Sequence, residues 1–107
     1  MKNNVLFGEK NFPVYEFCKE NNIDCTWDLD DDTTWTEIYF NDVEIFQFEW
    51  FTTVEQFIGV MNHFHNGTNL DDICGIVGGK DFFWSFENEP LCKEFIEHNA
   101  GIFAISQ

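Results

Sequence analysis

Residues 24–55 read DCTWDLDDDTTWTEIYFNDVEIFQFEWFTTVE, and this stretch decides which fold the sequence predicts. Ten of its 32 residues are acidic, none is basic, and aromatic residues occur throughout it. Through most of the stretch apolar and polar residues alternate, which is the pattern of half-buried β-strands. We therefore predict three strands, over Ile23–Asp30, Thr33–Phe40 and Val43–Phe51.

The first predicted strand separates apolar from acidic side chains. Ile23, Cys25, Trp27 and Leu29 would face one side, and Asp24, Thr26, Asp28 and Asp30 the other. Alternate carboxylates on such a strand stand roughly 6.6 Å apart, which is near the spacing of successive phosphates along a nucleic-acid strand. The pair Asp31-Asp32 then opens a turn.

The second and third strands are predicted to form a hairpin whose tip is Asn41-Asp42, because both residue types accept the positive φ angles of a tight turn. A two-residue turn would pair Phe40 with Val43 and Ile38 with Ile45 on one face. The other face would carry Tyr39 beside Glu44, Glu37 beside Phe46, and Trp35 beside Phe48. The first face has the composition of a core, and the second mixes aromatic and acidic groups as a protein interface does.

Outside this stretch, helical spacing of apolar residues predicts three helices. The first begins at Asn11-Phe12-Pro13, packs its Phe17 stripe on the sheet and ends at Asn21-Asn22. The second spans Val54–His65, between a Thr53–Gln56 capping box and a stop at Asn66-Gly67. The third begins at Glu89-Pro90 and ends at residues 99–101.

Leu70–Val77 is ambiguous. Its apolar spacing favours a short helix, although the run from Ile73 to Val77 also suits a buried strand. Further strands are predicted at Val5–Phe7, Asp81–Glu87 and Ile102–Ile105. The order of elements predicts a single α+β domain over residues 1–107, with three to four helices packed on a mostly antiparallel sheet.

The charge of the chain restricts its partners. Its 107 residues include 20 acidic residues and five lysines but no arginine, which gives a formal net charge of −15. Direct binding of nucleic acid is disfavoured because phosphate contacts require lysine and arginine. Such self-repulsion destabilises the folded state, so the acidity suggests a functional role and favours a basic protein partner.

Composition also bears on location and redox state. The N-terminus lacks the apolar region of a secretory signal, and no run approaches the ~18 apolar residues of a membrane span. A cytoplasmic protein is expected. Its four cysteines have no CxxC spacing, so reduced thiols are expected.

No catalytic, metal or cofactor site is predicted. His63 and His65 are two residues apart, whereas ligands on one helix need a spacing of three or four. The Asp28–Asp32 run lacks the glycine and glutamate positions of a calcium loop. Nucleophile elbows and phosphate-binding glycine loops are absent from the sequence.

The candidate partner-binding surface combines the acidic residues of the strand region with its exposed aromatics. These residues are Asp24, Asp28, Asp30, Asp31, Asp32, Trp35, Glu37, Tyr39, Asp42, Glu44 and Glu49.

In size, acidity, lack of arginine and lack of catalytic motifs, the chain resembles the small acidic inhibitors that phages and mobile elements use against host defence nucleases. These include anti-CRISPR proteins, anti-restriction proteins and uracil-DNA glycosylase inhibitors. The resemblance implies a non-catalytic inhibitor that works in the host cytoplasm. It would block the DNA or RNA groove of a nuclease or CRISPR effector as a nucleic-acid mimic.

Two other hypotheses remain at this point. An immunity protein that neutralises a cognate nuclease toxin would have the same acidic, aromatic surface. A non-inhibitory scaffold module would instead self-associate, as a homodimer, through a face made by Trp35, Tyr39 and Phe48.

Overall fold

A computed structural model describes residues 12–30, 33–78 and 82–105, with residues 29, 30 and 33 described by their backbone alone. The elements in chain order are α1 (Pro13–Glu20), β1 (Cys25–Asp30), β2 (Thr33–Phe40), β3 (Val43–Glu49), α2 (Val54–His65), α3 (Leu70–Val77), β4 (Trp84–Phe86), α4 (Glu89–His98) and α5 (Ala100–Phe103). The four strands form one antiparallel sheet in the order β1-β2-β3-β4. The predicted α+β class is confirmed.

The hairpin between β2 and β3 has the predicted two-residue turn. Asn41 and Asp42 adopt φ angles of 55° and 66°, which asparagine and aspartate tolerate better than most residues. Phe40 pairs with Val43, as predicted. The turn therefore sets the register at the tip of the hairpin.

Tyr39 pairs with Glu44, also as predicted, but from Ile38 toward the start of β2 the predicted pairing is wrong because the register shifts between Ile38 and Tyr39. Ile38 pairs with Phe46 instead of Ile45, so the predicted pairs of Glu37 with Phe46 and Trp35 with Phe48 do not form. Ile45 and Phe46 are 1% and 0% exposed. Regular alternation cannot turn two successive residues toward one core, whereas a β-bulge can.

Both predicted ends of α2 are confirmed. The Thr53 hydroxyl accepts from the Gln56 N–H, and the Gln56 side chain accepts from the Thr53 N–H, each at 3.0 Å. Gly67, just past the helix, has φ 81°. These caps satisfy backbone groups that would otherwise lack partners at the ends of the helix.

The first helix is confirmed over Pro13–Glu20, and the stripe that contains Phe17 faces the core as predicted. Phe17 contacts the ring of Phe57 in α2, edge to face, with centroids 6.1 Å apart. Val14 and Cys18 are the buried residues of the helix. The predicted stripe therefore packs on the core, with Phe17 directed toward α2.

The ambiguous segment Leu70–Val77 is helical. The Asn69 side chain accepts a hydrogen bond from the Asp71 N–H at 2.9 Å and caps the N-terminus of α3. The helix buries Ile73 and half-buries Cys74 and Val77, whereas Ile76 is 60% exposed. A buried strand would need to cover Ile76 as well.

Predictions for the remaining strands are mixed. The aromatic strand is confirmed but is shorter than predicted, since β4 covers only Trp84–Phe86. The strand predicted at Ile102–Ile105 is wrong: residues 100–103 form the helical turn α5, which places the fully buried Phe103 against Phe57 and Phe95. The strand predicted at Val5–Phe7 lies outside the described residues.

Aromatic rings dominate the core between the sheet and the helices. Phe57 of α2 is fully buried and makes edge-to-face contacts with Phe48 at 5.2 Å and with Phe103 at 5.4 Å between centroids. Aromatic pairs of this geometry contribute about 0.5–1.5 kcal/mol beyond the area they bury. The core thus fixes α2 against β3 on one face of the sheet, and the described helices do not cover the other face.

None of the described helices combines the length and apolar character of a membrane span; α2, the longest, has 12 residues.

Candidate protein-binding face

The two faces of the sheet differ in burial. Along β2, Thr34, Thr36 and Ile38 are buried toward the helices. The alternate residues Trp35, Glu37 and Tyr39 are only half-buried. Because successive side chains of a strand point to opposite faces, these three mark a face that the described helices do not cover.

We call this surface the open face. The ladder places its residues in rows across the strands, with Asp28 opposite Trp35 and Trp35 opposite Glu49. In the next row Thr26, Glu37, Gln47 and Ser85 are neighbours, and Tyr39 lies opposite Glu44. The open face comprises Thr26, Asp28, Trp35, Glu37, Tyr39, Glu44, Gln47, Glu49, Phe83 and Ser85.

Two sets of hydrogen bonds hold side chains on the open face. The Tyr39 hydroxyl donates to Oε1 of Glu37 at 3.2 Å. Ser85 Oγ donates to Oε1 of Gln47 at 3.3 Å, and the Gln47 amide in turn donates to Oε2 of Glu44. Glu37 and Glu44 therefore have uncharged hydrogen-bond donors as their partners.

Among the described residues, no cation forms an ion pair with the carboxylates of the open face. Partial burial raises the pKa of Glu37, and the negative charges of Glu44 and Asp28 raise it further, against the lowering effect of the Tyr39 hydrogen bond. Burial also raises the pKa of Glu49. Within the described ranges the ion pair found, Lys93 with Glu89 at 3.3 Å, lies on α4.

Aromatic side chains flank this charge. Trp35 of β2 contacts Phe83, which directly precedes β4, with ring centroids 5.4 Å apart in an edge-to-face arrangement. Phe83 is 52% exposed. The pair combines an exposed Phe83 with a half-buried Trp35, and aromatic residues of this kind are enriched at protein contact surfaces.

The structure brings together six of the predicted site residues on the open face: Asp28, Trp35, Glu37, Tyr39, Glu44 and Glu49. A seventh, Asp24, is exposed just before β1 and lies beside Tyr39: its carbonyl accepts a hydrogen bond from the Tyr39 N–H at 2.9 Å, and its negative charge contributes to the raised pKa of Tyr39. Asp42 is exposed at the hairpin tip. For Asp30 only the backbone is described, and Asp31 and Asp32 lie outside the described residues.

Sequence reasoning missed three members of the open face: Gln47, Phe83 and Ser85. Thr26 was placed on this side of the first strand but was not included among the candidate partner-binding residues. Gln47 was missed because a register without a bulge places Phe46 opposite Glu37, the position that Gln47 occupies in the structure. Phe48, predicted to share this face with Trp35 and Tyr39, is fully buried on the core side. Two adjacent apolar residues, Ile45 and Phe46, were the sequence signal for the bulge, which turns Phe46 and Phe48 to the core side and Gln47 to the open face.

The described residues contain no cluster of His, Cys, Asp and Glu side chains that could hold a metal ion. His63 lines a cavity of about 510 Å³ with Glu55 and Ile76, between α2 and α3. No cysteine or serine is among the described residues that line it. The open face, which combines carboxylates with aromatic side chains, is therefore taken as the candidate site.

A comparison with protein-family models, with curated proteins and with solved structures found no match to this chain.

Proposed function

We propose that this protein is a non-catalytic inhibitor that binds a basic nucleic-acid-binding protein, such as a nuclease or CRISPR effector, through its open face. It would occupy the DNA or RNA groove of that partner as an acidic mimic of nucleic acid. The observation that carries the proposal is the arrangement of Asp28, Glu37, Glu44 and Glu49 on a sheet face that the described helices do not cover, and whose named residues include no lysine or arginine.

The sheet spaces these carboxylates at distances that suit the cationic side chains of a nucleic-acid-binding groove. Residues two apart on a strand are separated by roughly 6.6 Å, and neighbouring strands by about 4.8 Å. The phosphates of a duplex provide one charge per ~1.7 Å of its axis, so a groove that binds them presents closely spaced lysine and arginine side chains. An array of fixed carboxylates is complementary to such a groove.

The support behind the open face favours binding. Its strands are held from the other side by a core of buried rings, including Phe46 and Phe48. A surface that is already ordered loses little conformational entropy when a partner binds. The net charge of −15 would also accelerate encounter with a basic partner at low salt.

Phe48, one of the three residues of the self-association face in the scaffold hypothesis, is buried and cannot contact a second copy. Two copies that met through their open faces would also bring like charges together, which is destabilising. An immunity protein would use the same contacts as a phage inhibitor. The two differ in the identity of the partner, which the experiment below supplies.

The experiment compares two variants with the same change in net charge. The first replaces Glu37, Glu44 and Glu49 of the open face by glutamine. The control replaces the exposed helix residues Glu55, Glu94 and Glu97 by glutamine. The parent protein is used to capture proteins from the source cell, and the captured protein is purified for titration.

We expect the open-face variant to bind the captured protein at least about tenfold more weakly than the parent, which corresponds to about 1.4 kcal/mol. The control should stay within about threefold. DNA or RNA should compete with the parent, and binding should weaken as salt rises. Equal binding by the two variants, or no competition by nucleic acid, would contradict the proposal.

A further inference from the structure

Glu49 occupies a distinct place on the open face, between two aromatic side chains. Trp35 is its direct partner across β2 and β3. On the other side of β3, Phe48 pairs with Trp84, so Phe83 lies next to the row of Glu49. The rings of Trp35 and Phe83 meet at 5.4 Å with an interplanar angle of 70°, which brings the two side chains together across the strand that carries Glu49.

Glu49 is partly buried next to Trp35, and among the described residues it forms no ion pair. Burial is the cause of its raised pKa, and no charged group among the described residues contributes to the shift. Phe83 nevertheless remains 52% exposed and Trp35 half-buried, so the aromatic surface is accessible from solvent. A partly desolvated carboxylate beside accessible rings favours a cation that can also stack.

We infer that Trp35, Glu49 and Phe83 form a subsite for an arginine side chain of the protein partner, an inference that rests on the proposed function. A guanidinium group is planar, so it can stack on the Trp35 ring while it donates two parallel hydrogen bonds to the Glu49 carboxylate. It is also more weakly hydrated than an ammonium group. A lysine ammonium group could form an ion pair with Glu49, but it could not stack on the ring or donate two parallel hydrogen bonds in one plane.

The test uses two peptides of equal length and charge, nona-arginine and nona-lysine, which are titrated into the full chain by calorimetry at low salt. We expect nona-arginine to bind at least about threefold more tightly, the scale of a surface cation–π contact. Trp35→Leu and Phe83→Leu should remove this preference by weakening nona-arginine alone. Phe51→Leu is the matched control, because Phe51 is 46% exposed but lies after β3 and outside the open face.

Glu49→Gln provides a second variant that keeps the shape of the side chain, and it should also remove the preference. Near-ultraviolet circular dichroism checks that each variant is folded. Equal affinity for the two peptides, unchanged by Trp35→Leu, overturns the arginine subsite but leaves the acidic open face in place as a protein-binding surface. Failure of both peptides to bind at low salt overturns the subsite together with the proposed function.

Discussion

The Tyr39 hydroxyl donates a hydrogen bond to Oε1 of Glu37 at 3.2 Å, along the same strand. This bond favours the charged form of Glu37, yet the pKa of Glu37 is raised because partial burial and the nearby charge of Glu44 outweigh it. Burial and the charge of Glu37 likewise raise the pKa of Tyr39. The environment of this pair therefore lowers the stability of the folded protein when Glu37 is ionised.

The pH dependence of stability should report this. Because the pKa of Glu37 is raised in the folded state, the folded protein retains this proton to higher pH than the unfolded chain. Ionisation of Glu37 therefore lowers the free energy of unfolding as the pH rises above 4.5, the ordinary pKa of glutamate, and through the raised pKa of the folded state. Glu37→Gln should raise the melting temperature at pH 7, and this gain should disappear near pH 3.

Thermal unfolding followed by circular dichroism between about pH 3 and 8 measures the effect. Glu94→Gln, at an exposed position on α4, controls for the loss of one negative charge. The same gain in both variants would show that general self-repulsion, and not the environment of Glu37, is responsible.

Phe57→Ala should destabilise the protein by about 3–5 kcal/mol, as truncation of a buried aromatic does. The ring of Phe57 joins Phe48 of β3, Phe103 of α5 and Phe17 of α1. Urea unfolding measures the loss. Ile76→Ala is the control, because Ile76 is 60% exposed and its truncation should change stability by less than about 0.5 kcal/mol. A loss below ~1 kcal/mol for Phe57→Ala would contradict the packing described for α2.

The hairpin tip should be sensitive to residue type at Asp42, whose φ is 66°. Alanine in this left-handed conformation costs roughly 1–2 kcal/mol, whereas glycine has no such penalty. We therefore expect Asp42→Ala to lower the free energy of unfolding by about 1 kcal/mol and Asp42→Gly to maintain or raise it. Asp24→Ala removes an equivalent exposed charge without a left-handed residue. If Asp42→Ala and Asp42→Gly are equally stable, the turn does not impose this conformation.

The four cysteines should differ in reactivity toward a thiol reagent. All are free, and Cys74 is half-buried whereas the other three are buried. Burial raises the pKa of Cys92 to about 12, and a hydrogen bond with Cys25 raises that of Cys18. The pKa of Cys25 is lowered, but its 4% exposure excludes the reagent.

We expect one thiol to react rapidly in the native protein and all four to react after denaturation without reductant. Cys74→Ser should abolish the rapid phase, which a colorimetric time course would record. A rapid phase that persists in Cys74→Ser would place accessibility at another cysteine.

Local signals explain what the sequence predicted correctly. The Asn41-Asp42 turn, the Thr53–Gln56 capping box and the apolar stripe of α2 each depend on residues within a few positions of one another. The α+β class follows from the order of such elements. Asp28, Glu37 and Tyr39 were assigned to a common face because alternation within β1 and β2 is regular.

Nonlocal packing explains what the sequence did not predict. The adjacent apolar residues Ile45 and Phe46 interrupt the alternation of β3, but only the burial of both side chains in the core distinguishes a bulge from a regular strand with one of them on the other face. Phe103 lies in a helical turn and its ring contacts both the nearby Phe95 and Phe57, which is far from it in sequence. Phe83 joined the site only through the pairing of β4 with β3.

The order of the strands in the sheet follows their order in the chain, and this has a consequence for folding kinetics. β1, β2 and β3 pair with neighbours in sequence through short connections, so their assembly requires little loop-closure entropy and can be fast. β4 follows α2 and α3 and pairs with β3 only after a longer loop closes. The carboxylate rows of β2 and β3 are therefore expected in the folding transition state, whereas the contact between Trp35 and Phe83 is expected to form after it.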